Sequence, residues 1–445
     1  MRSDHQIPTL IACSLAYGLV LMDPGFISVA LGAIQRDLVL SGTDLRHIVS
    51  MYNVALASCL ILAGSLCDHI GSKRALLVGV ALYAGGSAMF SLSEDLSLLL
   101  LARAGQGVGA SLLIPGSLSL LNDIFQSPRE KMKAIGWWGG FGSIAMALSP
   151  LCAGLLLSHV DWATLFYLNV VLSVIILILL APLPMARRRR DVAPFDAVTH
   201  CLCVTFTGGL VVLLTDRGSP SYWLCALVLT ALLMIVIRES RGSIKVFHRP
   251  LVFKPSLLVC YFAGTVINFS FYGVLFYFSL SLARDSSVTP ISTALALLPG
   301  TGVLVVGYML TGRYASPSRF SHFLGAGGLI TIFGLMIFTL FNLGSGLVFL
   351  MAGLSLVSFG LALITPIVTG IVLAQATSEV VGVANGVFNT CRQFGVCFGI
   401  ATFFTAHDAE DGLGLNPLLW LTIFLVVVAV GATSWVSSLT REHTV

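Results

Sequence analysis

Residues 164–190 read TLFYLNVVLSVIILILLAPLPMARRRR: an uncharged stretch from Thr164 to Leu183, then four consecutive arginines, Arg187 to Arg190. An α-helix rises about 1.5 Å per residue, so about 20 apolar residues cross the hydrocarbon core of a bilayer. A helix satisfies its backbone hydrogen bonds internally, as lipid demands. The arginines cannot follow it into hydrocarbon and read as an anchor in an anionic leaflet. This stretch is a membrane span with a basic stop.

Working outward in both directions, the same reading recurs. Fourteen spans are expected: 8–33, 48–67, 74–92, 97–121, 134–157, 164–183, 197–215, 221–237, 256–283, 289–311, 321–341, 345–374, 380–405 and 415–438. Their connections are short and leave no room for a separate soluble domain. Composition agrees. Of 445 residues, 57% are hydrophobic and 10% charged, against about 25% charged in a soluble domain. A water-soluble enzyme, a disordered chain and a collagen-like fibre are excluded. The N-terminal span is too long for the core of a signal peptide, no small-residue cleavage site follows it, and it reads as retained.

The net charge of +4 says little, but its distribution says more. Of the 24 lysines and arginines, 18 fall on the side of the N-terminus. Arg36, Arg46, Arg217 and Arg284 fall opposite, and Arg103 and Arg392 within spans. The positive-inside rule makes the richer side the cytoplasm, with both termini there. Arg187–Arg190 and the basic loop 238–254 bracket spans seven and eight. This suggests a six-span unit over 1–190, a two-span linker over 191–250 and a second six-span unit over 251–445. The ten cysteines are scattered, without C-x-x-C, and the single C-x-C (Cys201, Cys203) lies in an apolar run. They read as small packing residues, with neither disulfides nor a metal site.

Only Asp23, Arg103 and Arg392 place charge well inside spans. At mid-bilayer this costs a few kcal/mol and commonly marks an ion or substrate path. Burial favours the neutral form of Asp23, and a nearby arginine the ionised one. A carboxyl between these influences can load and release a proton; the other reading is structural pairing. Pro24 and Gly25 weaken the helix locally and free backbone groups to line a cavity. Arg103 lies at comparable depth, either tuning Asp23 and relaying the proton or serving as a fixed anchor. Asn389, Arg392 and Gln393 share one helix face, which reads as a substrate contact or as glue between helices.

Further patterns are weaker. In Gly64-Ser-Leu-Cys-Asp68-His-Ile-Gly71-Ser-Lys73-Arg74, an acid at a helix end is followed by a tight turn and two bases, an ion-pair latch or a solvated turn. The fifth span carries Gly142, Pro150 and Gly154, and the thirteenth Gly382, Gly386, Gly395 and Gly399; these read as close-packing faces, with a proline kink in the fifth. Phe262, Phe269, Tyr272 and Phe276 form a stripe near Thr265 and Asn268, an aromatic wall for a planar apolar substrate or ordinary packing. Of nine histidines, only His200 lies clearly within a span. No nucleophile–base pair, metal cluster or nucleotide-binding loop is present, so neither an intramembrane enzyme nor a primary pump is expected.

Together these residues resemble the fourteen-helix drug:proton antiporter branch of the major facilitator superfamily, over essentially the whole chain. Gly64, Leu66, Asp68, Gly71 and Lys73 match the pattern G-x-L-a-D-r-x-G-r-k, with His69 and Ser72 in place of arginines. Leu99, Arg103, Gln106, Gly107, Gly109 and Ala110 match the fourth-helix pattern l-x-x-x-R-x-x-q-G-x-g-a, implicated in proton transfer. Gly142 to Gly154 is similar to the antiporter pattern of the fifth helix ending G-P-x-x-G-G, with Ser149 and Ala153 substituted. Asp23, Val29, Ala30 and Leu31 resemble the first-helix pattern, and Gly386, Asn389, Arg392 and Gly395 that of helix 13.

The resemblance implies an all-α integral membrane protein of the major facilitator fold: two six-helix bundles plus two linker helices. It implies a proton-coupled exporter of lipophilic small molecules or drugs, working by alternating access across the cytoplasmic membrane. Asp23 would carry the proton and Arg103 modulate it. Asp68, Lys73 and Arg74 would form a gate with Gly64 and Gly71. Gln106, Asn389, Arg392, Gln393, Phe269, Tyr272 and Phe276 would line the cavity. No cofactor is expected beyond the proton gradient. The expected partners are lipid, protons and a small molecule, not nucleic acid, with a monomer as the working oligomeric state. A narrow exporter of one metabolite or siderophore is the alternative; the fifth-helix pattern speaks against an importer.

Overall fold

The structure is a computed structural model describing residues 5–125, 128–183, 196–215, 222–241, 252–283, 288–315, 318–340, 346–375, 381–408 and 415–442. The described residues form fourteen helices: α1 Gln6–Asp37, α2 Gly42–Ile70, α3 Ser72–Leu92, α4 Leu96–Ile124, α5 Pro128–Leu157, α6 Trp162–Leu180, α7 Ala197–Thr215, α8 Tyr222–Arg241, α9 Pro255–Ala283, α10 Pro290–Tyr314, α11 Phe320–Leu340, α12 Leu347–Gln375, α13 Val381–Asp408 and α14 Leu415–Glu442. Each expected span lies on one of them. The run Arg187–Arg190, Arg217, Arg284 and the expected boundaries at 190 and 250 lie outside the described residues, as does the side chain of Asp68.

Among the described residues, twelve helices are long and apolar enough to cross a membrane, and α7 carries a shorter apolar stretch, Ala197–Leu213. The chain is a multi-pass membrane protein. α13 is less apolar because Asn385, Asn389, Arg392 and Gln393 interrupt it. Large apolar side chains stand outward, among them Ile178, Leu329 and Phe424, a surface suited to lipid rather than water.

Helix ends extend past the apolar stretches because polar residues cap them. Ser41 and Asp44 form a reciprocal capping box at the start of α2, satisfying two backbone donors. Asp95 accepts from the Ser97 and Leu98 amides at the start of α4, at 2.9 and 3.2 Å. At the end of α1, Asp37 accepts from Trp162 Nε1 at 2.8 Å. Gly71 joins α2 directly to α3 at φ +93°, a conformation that disfavours any residue with a Cβ.

The chain divides into two compact units, Met1–Ser149 with Leu156–Val246, and Pro150–Leu155 with Phe247–Val445. In the first, α4 packs on α1, α2 and α3; α6 packs on α1 and α3; α7 packs on α2 and α8. In the second, α9 packs closely on α13, and α12 on α10 and α11. Small residues set the tightest approaches. A Cβ on Gly107 of α4 would strike the Tyr52 carbonyl of α2, and one on Gly395 of α13 the Thr265 carbonyl of α9. The ten cysteines are free.

Candidate functional site

Asp23 and Arg103 meet. Arg103 donates from both terminal nitrogens to the two carboxylate oxygens of Asp23, at 2.6 and 2.8 Å. The side chains are 0% and 1% exposed. The fork-on-fork geometry is the strongest form of this interaction. Around it the guanidinium is almost fully used. Its Nε donates to the Ile48 carbonyl of α2 at 3.2 Å, and one terminal nitrogen to Gln106 Oε1 at 2.9 Å. The Gln106 amide then donates to Ser87 Oγ of α3 at 2.9 Å. The Tyr52 ring lies 4.6 Å and the Phe90 ring 5.9 Å from the guanidinium carbon.

Local sequence explains the placement. Asp23 precedes Pro24, which lacks an N–H and leaves a helix carbonyl unpaired. One turn on, Ser28 Oγ donates to the Gly25 carbonyl at 3.0 Å. Gly86, Gly107 and Gly109 bring α2, α3 and α4 close enough for one guanidinium to reach groups on three other helices.

The chemistry follows from electrostatics. Desolvating a carboxylate and a guanidinium costs several kcal/mol each, recovered only by near-ideal pairing. The two charges balance each other, and loss of either leaves the other buried without a counter-charge.

In the second unit, Arg392 donates to Asn389 Oδ1 on its own helix at 3.4 Å. Asn389 in turn donates to the Asn385 carbonyl and to Asn385 Oδ1, at 2.9 and 3.2 Å. Gln393 is half-buried. Phe269 and Phe276 are turned into the α9–α13 contact, with Phe403 5.9 Å from Phe269 and Phe404 6.5 Å from Phe276. Their stripe packs against the neighbouring helix, and only Tyr272 of the three remains half-exposed.

Around Gly71, the described polar groups Ser72 and Lys73 bond to other parts of the first unit. Lys73 Nζ donates to the carbonyls of Ala181 and Leu183 beyond the end of α6, at 3.1 and 2.5 Å. A cation there favours the negative end of that helix. Ser72 Oγ donates to Asp123 Oδ2 of α4 at 2.6 Å. Arg74 is exposed, and Gly64 has open space beside it. On α5, Gly142 packs against the Tyr17 ring. Pro150 cannot bond the Met146 carbonyl one turn back, and Ser149 Oγ donates to that carbonyl instead, at 2.8 Å. Gly154 is closed off by Ala294 and Pro290.

Sequence reasoning did not single out Ile48, Tyr52, Ser87 or Phe90, nor the base of the α7–α8 hairpin. There Arg238 donates to Asp196 at 2.8 Å, and Thr199 donates to the same carboxylate from its backbone and hydroxyl. Burial opposes ionisation of Asp196, but the Thr199 and Arg238 hydrogen bonds win and hold its carboxyl below the ordinary range. An acid just before one span and a base closing the next were the signal.

Residues 13–400 match the profile of the Major Facilitator Superfamily. The chain belongs to this family of membrane transporters. It is 32% identical over 409 residues to the tetracenomycin C resistance and export protein of Streptomyces glaucescens, covering 88% of this chain and 74% of that one. It is 27% identical over 420 residues to the multidrug resistance protein Stp of Mycobacterium tuberculosis, covering 93% and 78%. Among solved structures, an auto-inhibited POT family peptide transporter superposes at a TM-score of 0.66 over 98% of this chain and 96% of that one, at 15% identity. That likeness bears on the fold alone.

Proposed function

We propose that this transporter exports lipophilic small molecules across the cytoplasmic membrane in exchange for protons, by alternating access, with both termini cytoplasmic. The carrying observation is the sealed Asp23–Arg103 pair: the one ion pair among the described residues with both partners fully buried, positioned on α1 and α4, where loss of either charge leaves the other buried without a counter-charge. Asp23 carries the proton; Arg103, set by Gln106 and Ser87, governs its release. The gradient supplies the energy and no cofactor takes part. Relatives named for multidrug resistance support a broad substrate range. The 32% identity to a protein named for tetracenomycin C favours, as a second reading, export of one compound.

The test is efflux of fluorescent compounds from proteoliposomes under an imposed pH gradient, wild type against Asp23→Asn. Efflux that follows the gradient and disappears in the variant supports coupling at Asp23. Gradient-driven efflux that survives in the variant moves coupling elsewhere.

A further inference from the structure

Among the described residues Arg392 forms no ion pair. Helices α9 to α12 contain neither Asp nor Glu, and α13 and α14 carry one each only at their last residues, Asp408 and Glu442. Asp408 lies about 24 Å along α13 from Arg392 at the rise of a helix. Among the described residues the two ion pairs, Asp23–Arg103 and Asp196–Arg238, both belong to the other unit.

The two span arginines differ in kind. Arg103 is sealed, with a charged acceptor on α1 and a neutral one on α2. Arg392 is half-buried, and its hydrogen bond stays on its own helix, to Asn389. A residue holding helices together would bond across them. The Phe388 ring lies 5.8 Å from its guanidinium carbon. Tyr308 of α10 lies within its electrostatic reach and is itself hydrogen-bonded to Thr365. Asn385 and Asn389 continue the polar stripe. The planar fork of a guanidinium fits a carboxylate with two parallel hydrogen bonds.

We propose that Arg392, with Asn389, Asn385 and Tyr308 around it, binds the ionised acidic group of the transported molecule: a carboxylate, phenolate or enolate on an apolar, aromatic body. This deepens the exporter reading and rests on it for the word transported; the binding itself does not.

The experiment is equilibrium titration of the purified full-length protein in zwitterionic nanodiscs. The probes are fluorescein and 1-naphthoate as aromatic anions, ethidium as an aromatic cation and Nile red as a neutral compound. Wild type is expected to bind the anions saturably. Arg392→Gln is expected to weaken them at least about tenfold and leave Nile red unchanged, with Arg392→Lys in between. Asn389→Asp places a carboxylate one turn from the guanidinium and is expected to weaken the anions as much while keeping the thermal stability of wild type. It decides the matter if Arg392→Gln does not fold. No saturable anion binding by wild type, binding of ethidium in preference, or anion affinity in Asn389→Asp within about twofold of wild type overturns the proposal. Failure of the exporter reading shows separately, as intact anion binding without any probe moving under a pH gradient.

Discussion

Arg103 illustrates how unequal two arginines within membrane helices can be. Its Asp23 partner is on another helix, its carbonyl and aromatic neighbours on a second, and its amide contact leads to a third. Removing one member of such a pair strands a buried charge, so Arg103→Ala is expected to destabilise the purified protein by roughly 3–5 kcal/mol in thermal or denaturant unfolding. Arg103→Lys keeps the charge but loses the fork, and is expected to recover only part of that loss. The double variant Asp23→Asn with Arg103→Gln is expected to cost less than the sum of the singles, because no charge is left alone. Additive losses would mean that the two residues act separately. The depth of both residues could be read from their positions along the chain. Their meeting could not, because it depends on how α1 and α4 are rotated and brought together by glycines.

At the scale of helices, apolar runs in the sequence located the fourteen described helices, twelve of them long and apolar enough to cross a membrane, and the polar caps outside those runs explain why the helices run further. The aromatic stripe of α9 shows what periodicity leaves open. Spacing put Phe269 and Phe276 on one face, but the groove made by Gly395 and Gly399 on α13 decides that this face is packed. Substituting Gly395→Leu is expected to push α9 and α13 apart and cost at least about 1–3 kcal/mol, seen as a lower unfolding temperature. The α7–α8 hairpin carries its own prediction. The carboxyl of Asp196 is held below its ordinary value, so its contribution is complete above the usual carboxylate value of about 3.9 and is lost as pH falls through the lower folded value. Hydrogen exchange in α7 and α8 is expected to rise in that acid window. Asp196→Asn is expected to lack this acid step and to cost about 1 kcal/mol at neutral pH, a modest figure because Arg238 is partly exposed. An unchanged acid step in the variant would place its origin elsewhere.

For the molecule as a whole, the membrane class, the span count and the two span charges of the first unit were legible because lipid imposes strong rules on sequence. The contact of Lys73 was not: read as part of an ion-pair latch or a solvated turn, it closes the end of α6, a contact between residues more than a hundred positions apart. The sealed pair on α1 and α4 has one further consequence, electrical in nature. With Asp23 ionised, the pair is a dipole of zero net charge and feels little force along the membrane field. With Asp23 protonated, the same cluster holds one uncompensated positive charge, and carrying that charge fully across 100 mV is worth about 2.3 kcal/mol. On the coupling proposed above, voltage acts on one half of the transport cycle and spares the other. A potassium diffusion potential imposed at equal pH on both sides is expected to change the turnover of wild type and leave any residual exchange by the double variant Asp23→Asn with Arg103→Gln, which carries no charge in this cluster, unmoved.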